Sequence, residues 1–127
     1  MQTGTDHPNA ELVRKGMDAF DRGDMQAFAD LIADDVVWHQ IGGPTLHGKQ
    51  ELAASMPGGD VDWTITASLH DVVANDTHAV SLVEATATRD GQSLTYRTAE
   101  IMHVRDGKLV ERWAFSDDTQ KIIDFFA

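Results

Sequence analysis

Hydrophobic and polar positions alternate most regularly over residues 92–115, and this alternation predicts two antiparallel strands. Asp106-Gly107 separates the two runs, and an Asp-Gly pair between alternating segments is a strong signal of a hairpin. Successive side chains of a strand point to opposite faces. We therefore expect the even-numbered residues of the first run to face the interior and the more polar odd-numbered residues to face solvent. The even-numbered set is Leu94, Tyr96, Thr98, Glu100, Met102 and Val104.

Glu100 is the exception in this interior row, because a carboxylate among apolar side chains costs free energy unless it is paired or has a use. Its partner depends on the turn. A three-residue loop over residues 105–107, with Gly107 at the left-handed bulge position, brings Arg112 opposite Glu100. A two-residue turn brings Trp113 there instead. We favour the bulged turn, because the two-residue turn leaves Glu100 without a visible counter-charge.

The rest of the chain predicts helices first and strands later. We expect a tail over residues 1–8, a helix from Asn9 to about Arg22, and a second helix that is capped by Asp24 and ends near Ala33. The chain then predicts a strand over 36–40, a loop over 42–44 and a helix over 48–56, which Pro57-Gly58-Gly59 ends. Strands over 61–74 and 77–89 follow, and Ser116 and Asp117 are expected to cap a closing helix.

The facing of Glu84 depends on the turn at Asp90-Gly91. A two-residue turn there directs Glu84 outward and its odd-numbered neighbours Ser81, Val83 and Ala85 inward, whereas a bulged turn reverses both. We favour Glu84 on the outside.

This order of elements predicts an α+β domain over residues 9–127, in which the helices cover one face of a strongly curved, mainly antiparallel sheet. We find no internal repeat or linker. A chain of 127 residues with 42% hydrophobic residues is long enough for one domain with its own core.

Composition and charge narrow the possible partners. The net charge of -11 argues against nucleic acid and anionic membrane surfaces, since both need clustered Lys and Arg. The absence of cysteine excludes disulfides, thiolate chemistry and Cys-based metal sites. The N-terminus lacks the pattern of a signal peptide, and no apolar run approaches the ~20 residues of a membrane helix, so we expect a cytoplasmic protein.

Three motifs carry a resemblance to a known superfamily. Residues 19–24 read Ala-Phe-Asp-Arg-Gly-Asp, residues 33–39 read Ala-Asp-Asp-Val-Val-Trp-His, and residues 105–113 read Arg-Asp-Gly-Lys-Leu-Val-Glu-Arg-Trp. In order and spacing they resemble the NTF2-like superfamily, specifically its SnoaL-like branch, which is related to polyketide cyclases and ketosteroid isomerases. The resemblance spans roughly residues 9–126.

The resemblance implies a cone-shaped fold with a deep pocket between the helices and the curved sheet. It also implies a homodimer joined through the outer face of the sheet, and a site that needs no metal or organic cofactor. Glu100 matches the strand position at which isomerases and cyclases of the superfamily place a pocket acid or another polar catalytic group.

Other positions depart from the active sites of the superfamily. Gln40 stands where the isomerases carry their general-base carboxylate, and Gly16 where they carry an oxyanion-hole tyrosine. In the last strand, Arg112 replaces the histidine and Ala114 the aspartate of the cyclases' Glu-His-Trp-Asp run. Trp38 and Gln40 resemble the first strand of limonene epoxide hydrolases, but the Asp-Arg-Asp set of those enzymes has no match here.

Glu100 and Arg112 are therefore the candidate catalytic residues. Glu100 is expected to act as general acid or base, and Arg112 to orient it or to hold a developing enolate oxygen. The alternative is a cross-strand ion pair that only fixes the register of the pocket wall. The candidate ligand-binding residues are Trp38, Gln40, Tyr96, Met102, Trp63, Met17 and Phe20, together with His39, which alternation places on the opposite face unless the strand is bulged.

No metal or organic cofactor is expected. The histidines at positions 39, 47, 70, 78 and 103 show neither the i, i+4 helical spacing nor the His-x-His strand spacing of common metal sites. The chain also lacks a Gly-x-Ser-x-Gly motif, a P-loop and a dinucleotide fingerprint.

The sequence is compatible with three functions. The first is a cofactor-independent acid–base enzyme of the isomerase or cyclase type that acts on a hydrophobic carbonyl-bearing compound. The second is a non-catalytic protein that binds or sequesters such a compound, which the missing carboxylates at Gln40 and Ala114 favour. The third is an accessory dimerisation module that uses the outer face around Ile101, Trp113 and Phe115.

Overall fold

The computed structural model describes residues 7–56, 59 and 61–127. In this part of the chain, helices pack on one face of a curved six-stranded sheet, which confirms the expected α+β architecture. The elements are α1 (Pro8–Asp21), α2 (Met25–Asp30), β1 (Ile32–His39), β2 (Thr45–His47), α3 (Gly48–Ala54), β3 (Trp63–Ala74), β4 (His78–Arg89), β5 (Gln92–Arg105), β6 (Lys108–Ser116) and α4 (Thr119–Phe126).

The strands lie in the order β2-β1-β6-β5-β4-β3. All neighbours are antiparallel except β1 and β6, which pair in parallel. The four long strands expected over residues 61–115 therefore form a meander, and β1 joins its last strand. This parallel contact brings the first strand of the chain beside β6, where Trp38 pairs with Arg112.

The turn between β4 and β5 has two residues, because Arg89 pairs with Gln92. Glu84 is accordingly exposed, as favoured from the sequence, and its carboxylate lies 3.5 Å from the Arg97 guanidinium on the outer face. The odd-numbered residues Ser81, Val83 and Ala85 are buried on the inner face.

The turn between β5 and β6 also has two residues, so the expected three-residue loop is wrong. Arg105 pairs with Lys108, and both residues between them have positive φ, 54° at Asp106 and 73° at Gly107. Such a turn matches the right-handed twist of the strands, and Asp-Gly is among the pairs that adopt it most readily.

A bulge inside β6 supplies the extra residue that the sequence predicts in the turn. The register shifts because Val110 has no partner of its own on β5. Ala114 consequently lies opposite Glu100, and Arg112 lies opposite Met102. Arg112 therefore shares the inner face with Glu100 and reaches it diagonally.

The first helix begins at Pro8 and is capped by His7 instead of Asn9. The His7 Nδ1 atom accepts a hydrogen bond from the Asn9 backbone N–H at 3.0 Å, and Nε2 lies 2.8 Å from Asp76 Oδ1. His7 is buried, so both His7 and Pro8 belong to the fold and not to a tail. The other residues of the expected tail, 1–6, lie outside the described part of the chain.

Several boundaries differ from the expected ones for local reasons. Asp24 caps α2 as expected, by accepting from the Ala27 N–H. However, α2 ends at Asp30, and β1 begins at Ile32 and includes the exposed Asp34-Asp35 pair that had indicated a break. The parallel register shifts over this stretch, which explains how two charged residues fit there. Strand β2 was not expected, because three residues are too few to show periodicity.

The closing helix is capped by Asp118, whose side chain accepts from the Lys121 N–H. Asp117 accepts from the Arg97 N–H of β5 instead, so it is not available as the cap. Helix α3 ends at Ala54, and Pro57 and Gly58, which were expected to stop it, lie outside the described residues. Within the described residues, no helix is long and apolar enough to cross a bilayer.

Two apolar clusters form the core. One lies beneath α1 and comprises Ala10, Val13, Val72, Ala74, Ala79 and Met102. The other lies beneath α2 and α3 and comprises Ile32, Val36, Leu46, Leu52 and Met56. Met102 is 5% exposed and packs in the first cluster, so its expected place in the pocket wall is wrong.

We predict that His7→Ala lowers the free energy of unfolding by about 1–2 kcal/mol, because it removes a helix cap and the bond to Asp76. His7→Asn keeps a capping side chain and is expected to recover part of the loss. Urea denaturation followed by far-UV circular dichroism measures both effects. Equal stability of His7→Ala and the wild-type protein would show that the cap contributes nothing.

Candidate functional site

A cavity of ≈ 620 Å³ lies between the inner face of the sheet and the helices. Small-molecule sites typically enclose about 300–1,000 Å³. All the residues expected at the site line this cavity except Met102 and His39. Those that do are Met17, Phe20, Trp38, Gln40, Trp63, Tyr96, Glu100 and Arg112.

Further apolar residues complete the walls. Phe28 of α2 belongs to an aromatic row, with its ring 5.8 Å from Phe20 and 6.3 Å from Trp38 between centroids. The sequence indicates that Phe28 faces the interior, because it lies on the apolar face of the predicted second helix. The other wall residues missed from the sequence include Ile65, Val83, Ile122 and Phe126.

The ion pair between Glu100 and Arg112, expected from the sequence, is confirmed. Arg112 Nε donates to Glu100 Oε1 at 3.0 Å. The Arg112 side chain is only 12% exposed and the Glu100 side chain only 16%. The Thr98 hydroxyl donates to the second carboxylate oxygen, Oε2, at 3.2 Å. Thr98 lies two residues before Glu100 in the inward-facing row, so alternation predicted its position but not its role.

Two further contacts fix the orientation of Arg112. Its Nη1 atom donates to the backbone carbonyl of His39 at 3.1 Å, and its guanidinium carbon lies 4.6 Å from the centre of the Trp38 ring. A cation above an indole face is stabilised by about 0.5–2 kcal/mol, depending on desolvation. Two of the five N–H groups of the guanidinium bond to described residues, so the others are available to a ligand oxygen.

Tyr96 is the second polar group on the same strand face. Burial raises the pKa of its hydroxyl, and the Glu100 carboxylate raises it further, whereas the Arg112 guanidinium lowers it. The phenol is therefore protonated at neutral pH and can donate a hydrogen bond to a ligand oxygen.

The turn over residues 41–44 and α4 together form part of the cavity wall. Gly42 has a φ of +69°, and a Cβ atom at this position would lie 2.3 Å from Ile123 Cγ1. The turn and the helix can approach this closely only because residue 42 has no side chain. Gln40 lines the cavity next to this turn, directly after the end of β1.

His39 points away from the cavity, so its expected place among the ligand-binding residues is wrong. Its Nε2 atom lies 2.7 Å from Glu111 Oε2, and its ring stacks on Trp113 at 5.5 Å between centroids, on the outer face. Strand alternation had indicated this facing, and the structure has no bulge that would reverse it at the end of β1.

The cavity is an apolar chamber with one charged pair. Among the described side chains that line it, Glu100 and Arg112 are the ones that carry charge at neutral pH, and their charges cancel. The polar groups of Gln40, Thr98 and Tyr96 add hydrogen-bonding capacity without charge. Such a site suits a neutral, mostly apolar ligand with one or two oxygens.

We predict that the hydroxyl of Tyr96 titrates above the usual pKa of 10.0 of a tyrosine. The chain contains a single tyrosine, so tyrosinate absorbance near 295 nm reports on Tyr96 alone. Glu100→Gln is expected to lower this pKa, because it removes a negative charge, and Arg112→Gln to raise it. If the wild-type protein and both variants deprotonate together, the ion pair does not act on Tyr96.

Solved structures with the same fold include several proteins without an established activity. An NTF2-like protein of unknown function from Burkholderia pseudomallei superimposes with a TM-score of 0.83 at 23% identity and covers 95% of this chain and 98% of its own. Bal32a, from a soil-derived mobile gene cassette, gives a TM-score of 0.82 at 24% identity over 94% of this chain and 97% of its own. A proposed polyketide cyclase from Xanthomonas campestris superimposes with a TM-score of 0.78 at 22% identity and covers 94% of this chain and 97% of its own. At these identities the likeness shows the fold alone.

Sequence comparison gives the family. The uncharacterised protein Rv0034 of Mycobacterium tuberculosis is 29% identical over 97% of this chain and 99% of its own length. The family model of the SnoaL-like domain matches residues 13–112, which include both members of the ion pair. The chain thus belongs to the SnoaL-like domain family.

Proposed function

We propose that this protein is a cofactor-independent acid–base enzyme of the isomerase or cyclase type, acting on a neutral, hydrophobic carbonyl-bearing compound. The observation that carries the proposal is the Glu100–Arg112 ion pair inside an otherwise apolar cavity. Burying two charges costs free energy that their attraction often fails to recover. A site that keeps such a pair beside a cavity of ligand size is a candidate for proton transfer.

In the proposed reaction each group of the ion pair and its neighbours has a role. Glu100 carries the negative charge of the ion pair, so it takes a proton from the carbon next to the ligand carbonyl. The electrons of the broken C–H bond form an enolate, whose oxygen accepts hydrogen bonds from Arg112 and from the Tyr96 hydroxyl. If the enolate is conjugated to a double bond, return of the proton to the far carbon of that system completes an isomerisation. In a cyclisation the enolate carbon instead attacks a second carbonyl, and the proton held by Glu100 passes to the alkoxide oxygen that forms.

A non-catalytic binding protein is the second candidate. It is favoured by the neutral side chains at Gln40 and Ala114, where relatives with known chemistry carry acidic groups. In that case the same cavity binds or sequesters the compound, and Glu100 with Arg112 supplies only a polar anchor. The two candidates differ in whether Glu100 has to exchange protons with the ligand.

We predict that the protein catalyses exchange of solvent deuterium into the α-carbon of neutral bicyclic ketones, beginning with 2-tetralone. Glu100→Gln is expected to reduce this exchange by about 10²-fold or more, the usual contribution of a general base. Ligand binding, followed through the fluorescence of Trp38 and Trp63 in the cavity wall, is expected to persist in the same variant.

The matched control is Glu84→Gln, which removes a carboxylate from the outer face of the same sheet and is expected to leave exchange unchanged. Ketone binding without deuterium exchange in the wild-type protein would contradict the enzyme proposal and support the binding protein.

We also propose that the chain forms a homodimer through the outer face of the sheet. Apolar residues lie side by side there, since Ile101 pairs with Trp113 and Phe115 lies in the adjacent row. Phe115 is 58% exposed and Leu82 is 43% exposed. A contiguous apolar patch on a sheet face is typical of a surface that binds another protein. A tight dimer with no ligand in any screen would support the third function, a dimerisation module.

We predict that Phe115→Glu shifts the protein from dimer to monomer in size-exclusion chromatography with light scattering, because it places a charge in the proposed interface. The control is Thr88→Glu, which adds the same charge to an exposed position on a different strand, β4. A wild-type protein that is monomeric at ~100 μM, well above the Kd of a stable dimer, would contradict the proposal.

A further inference from the structure

His39 is the residue at which the cavity and the outer face of the sheet meet. Its backbone carbonyl accepts a hydrogen bond from Arg112 Nη1 at 3.1 Å on the cavity side. Its imidazole ring lies on the opposite face, against Glu111 and Trp113. One residue therefore contacts both the cavity pair and a separate polar cluster on the outer face.

The imidazole is held from three sides. Glu111 Oε2 lies 2.7 Å from Nε2, Thr45 Oγ1 lies 3.2 Å from Nδ1, and the indole of Trp113 is stacked on the ring with an interplanar angle of 18°. A carboxylate only accepts hydrogen bonds, so Nε2 carries a proton and donates it to Glu111, while Nδ1 and the Thr45 hydroxyl form a second hydrogen bond. The ring thereby ties β1 to β2 on one side and to β6 on the other.

This cluster lies where the parallel ladder between β1 and β6 ends, at His39, which still pairs with Thr45 of β2. The last pair of the parallel ladder between β1 and β6 is Trp38 with Arg112, and β1 ends one residue later at His39. The side-chain contacts of His39 therefore act on a carbonyl that stands at the end of its strand.

We propose that His39 is a positioning residue, which Glu111 and Thr45 lock from the outer face so that its carbonyl holds Arg112 in place against Glu100. The inference rests on the proposed function in one respect, since the orientation of Arg112 matters for proton transfer only if Glu100 is the base. A line of hydrogen bonds then crosses the sheet, from Glu111 through His39 and Arg112 to Glu100. When the outer end of this line is lost, Arg112 is free to turn away from Glu100.

The test compares Glu111→Gln with Glu111→Leu. Both substitutions remove one negative charge, but only glutamine keeps an oxygen that can accept from His39 Nε2. A difference between the two variants therefore reports the hydrogen bond and not the charge.

The first readout is the hydrogen exchange of the Arg112 Nε–H group, followed by NMR and assigned with Arg112→Lys. This proton lies in the bond to Glu100, so we expect it to exchange about tenfold faster in Glu111→Leu than in Glu111→Gln. The second readout is the tyrosinate titration of Tyr96. Arg112 lowers the pKa of Tyr96, so its displacement is expected to move the titration of Glu111→Leu to higher pH than that of Glu111→Gln.

The control pair is Glu84→Gln and Glu84→Leu, which alter an exposed ion pair on the same sheet face. We expect these two to agree with each other in both readouts. If Glu111→Leu does not fold, Thr45→Val removes the hydroxyl from Nδ1 and Thr45→Ser restores it, so the same comparison is made at the other ring nitrogen.

If the two folded variants of a pair show the same exchange rate of the Arg112 Nε–H group and the same titration of Tyr96, the positioning role of His39 is overturned. Both readouts are made without any ketone, so they stand or fall separately from the deuterium-exchange test of the proposed function.

Discussion

A guanidinium and a carboxylate can remain in an apolar cavity only when each satisfies the hydrogen-bonding needs of the other and the surrounding groups satisfy the rest. Here Arg112 supplies one bond to Glu100, Thr98 supplies a second, and the carbonyl of His39 with the Trp38 ring holds the guanidinium. These partners come from β1, β5 and β6. The ion pair can therefore form only when these three strands are paired in this register, and this requirement is the constraint on which the cavity depends.

The bulge at Val110 is what makes that constraint compatible with the tight turn at Asp106-Gly107. A two-residue turn without a bulge directs Arg112 outward, because each one-residue change of register moves every later side chain to the other face. The extra residue restores the inward facing of Arg112 after only a short stretch of β6. Sequence alternation required one additional residue between Val104 and Arg112. It could not locate that residue, since an insertion in the turn or in the strand gives the same facing beyond it.

At the site, too, the facing of a side chain could be predicted from the sequence, whereas its position along the strand relative to the helices could not. Alternation gives the face of a strand, and it placed Tyr96 and Glu100 correctly on the inner face. It does not give the position along the strand at which a helix covers that face, and for this reason Met102 was assigned to the pocket although α1 buries it. The close approach of Gly42 to Ile123 joins segments far apart in the sequence, and no local pattern indicates it. The fold class was predictable because many weak patterns agree, whereas each site residue depends on one contact.

The parallel pairing of β1 with β6 also determines when the cavity can exist during synthesis. Strand β1 is made early, but its long neighbour β6 follows after all of β3, β4 and β5. Until then the contact between the Trp38 ring and the Arg112 guanidinium cannot form, and β1 has only the three-residue β2 beside it. Contacts between segments so distant in sequence form late, because loop closure opposes them. On the ribosome the cavity therefore lacks one wall until β6 has emerged, and the pairing of β6 with β1 and β5 adds that wall and brings Arg112 to Glu100 in the same step.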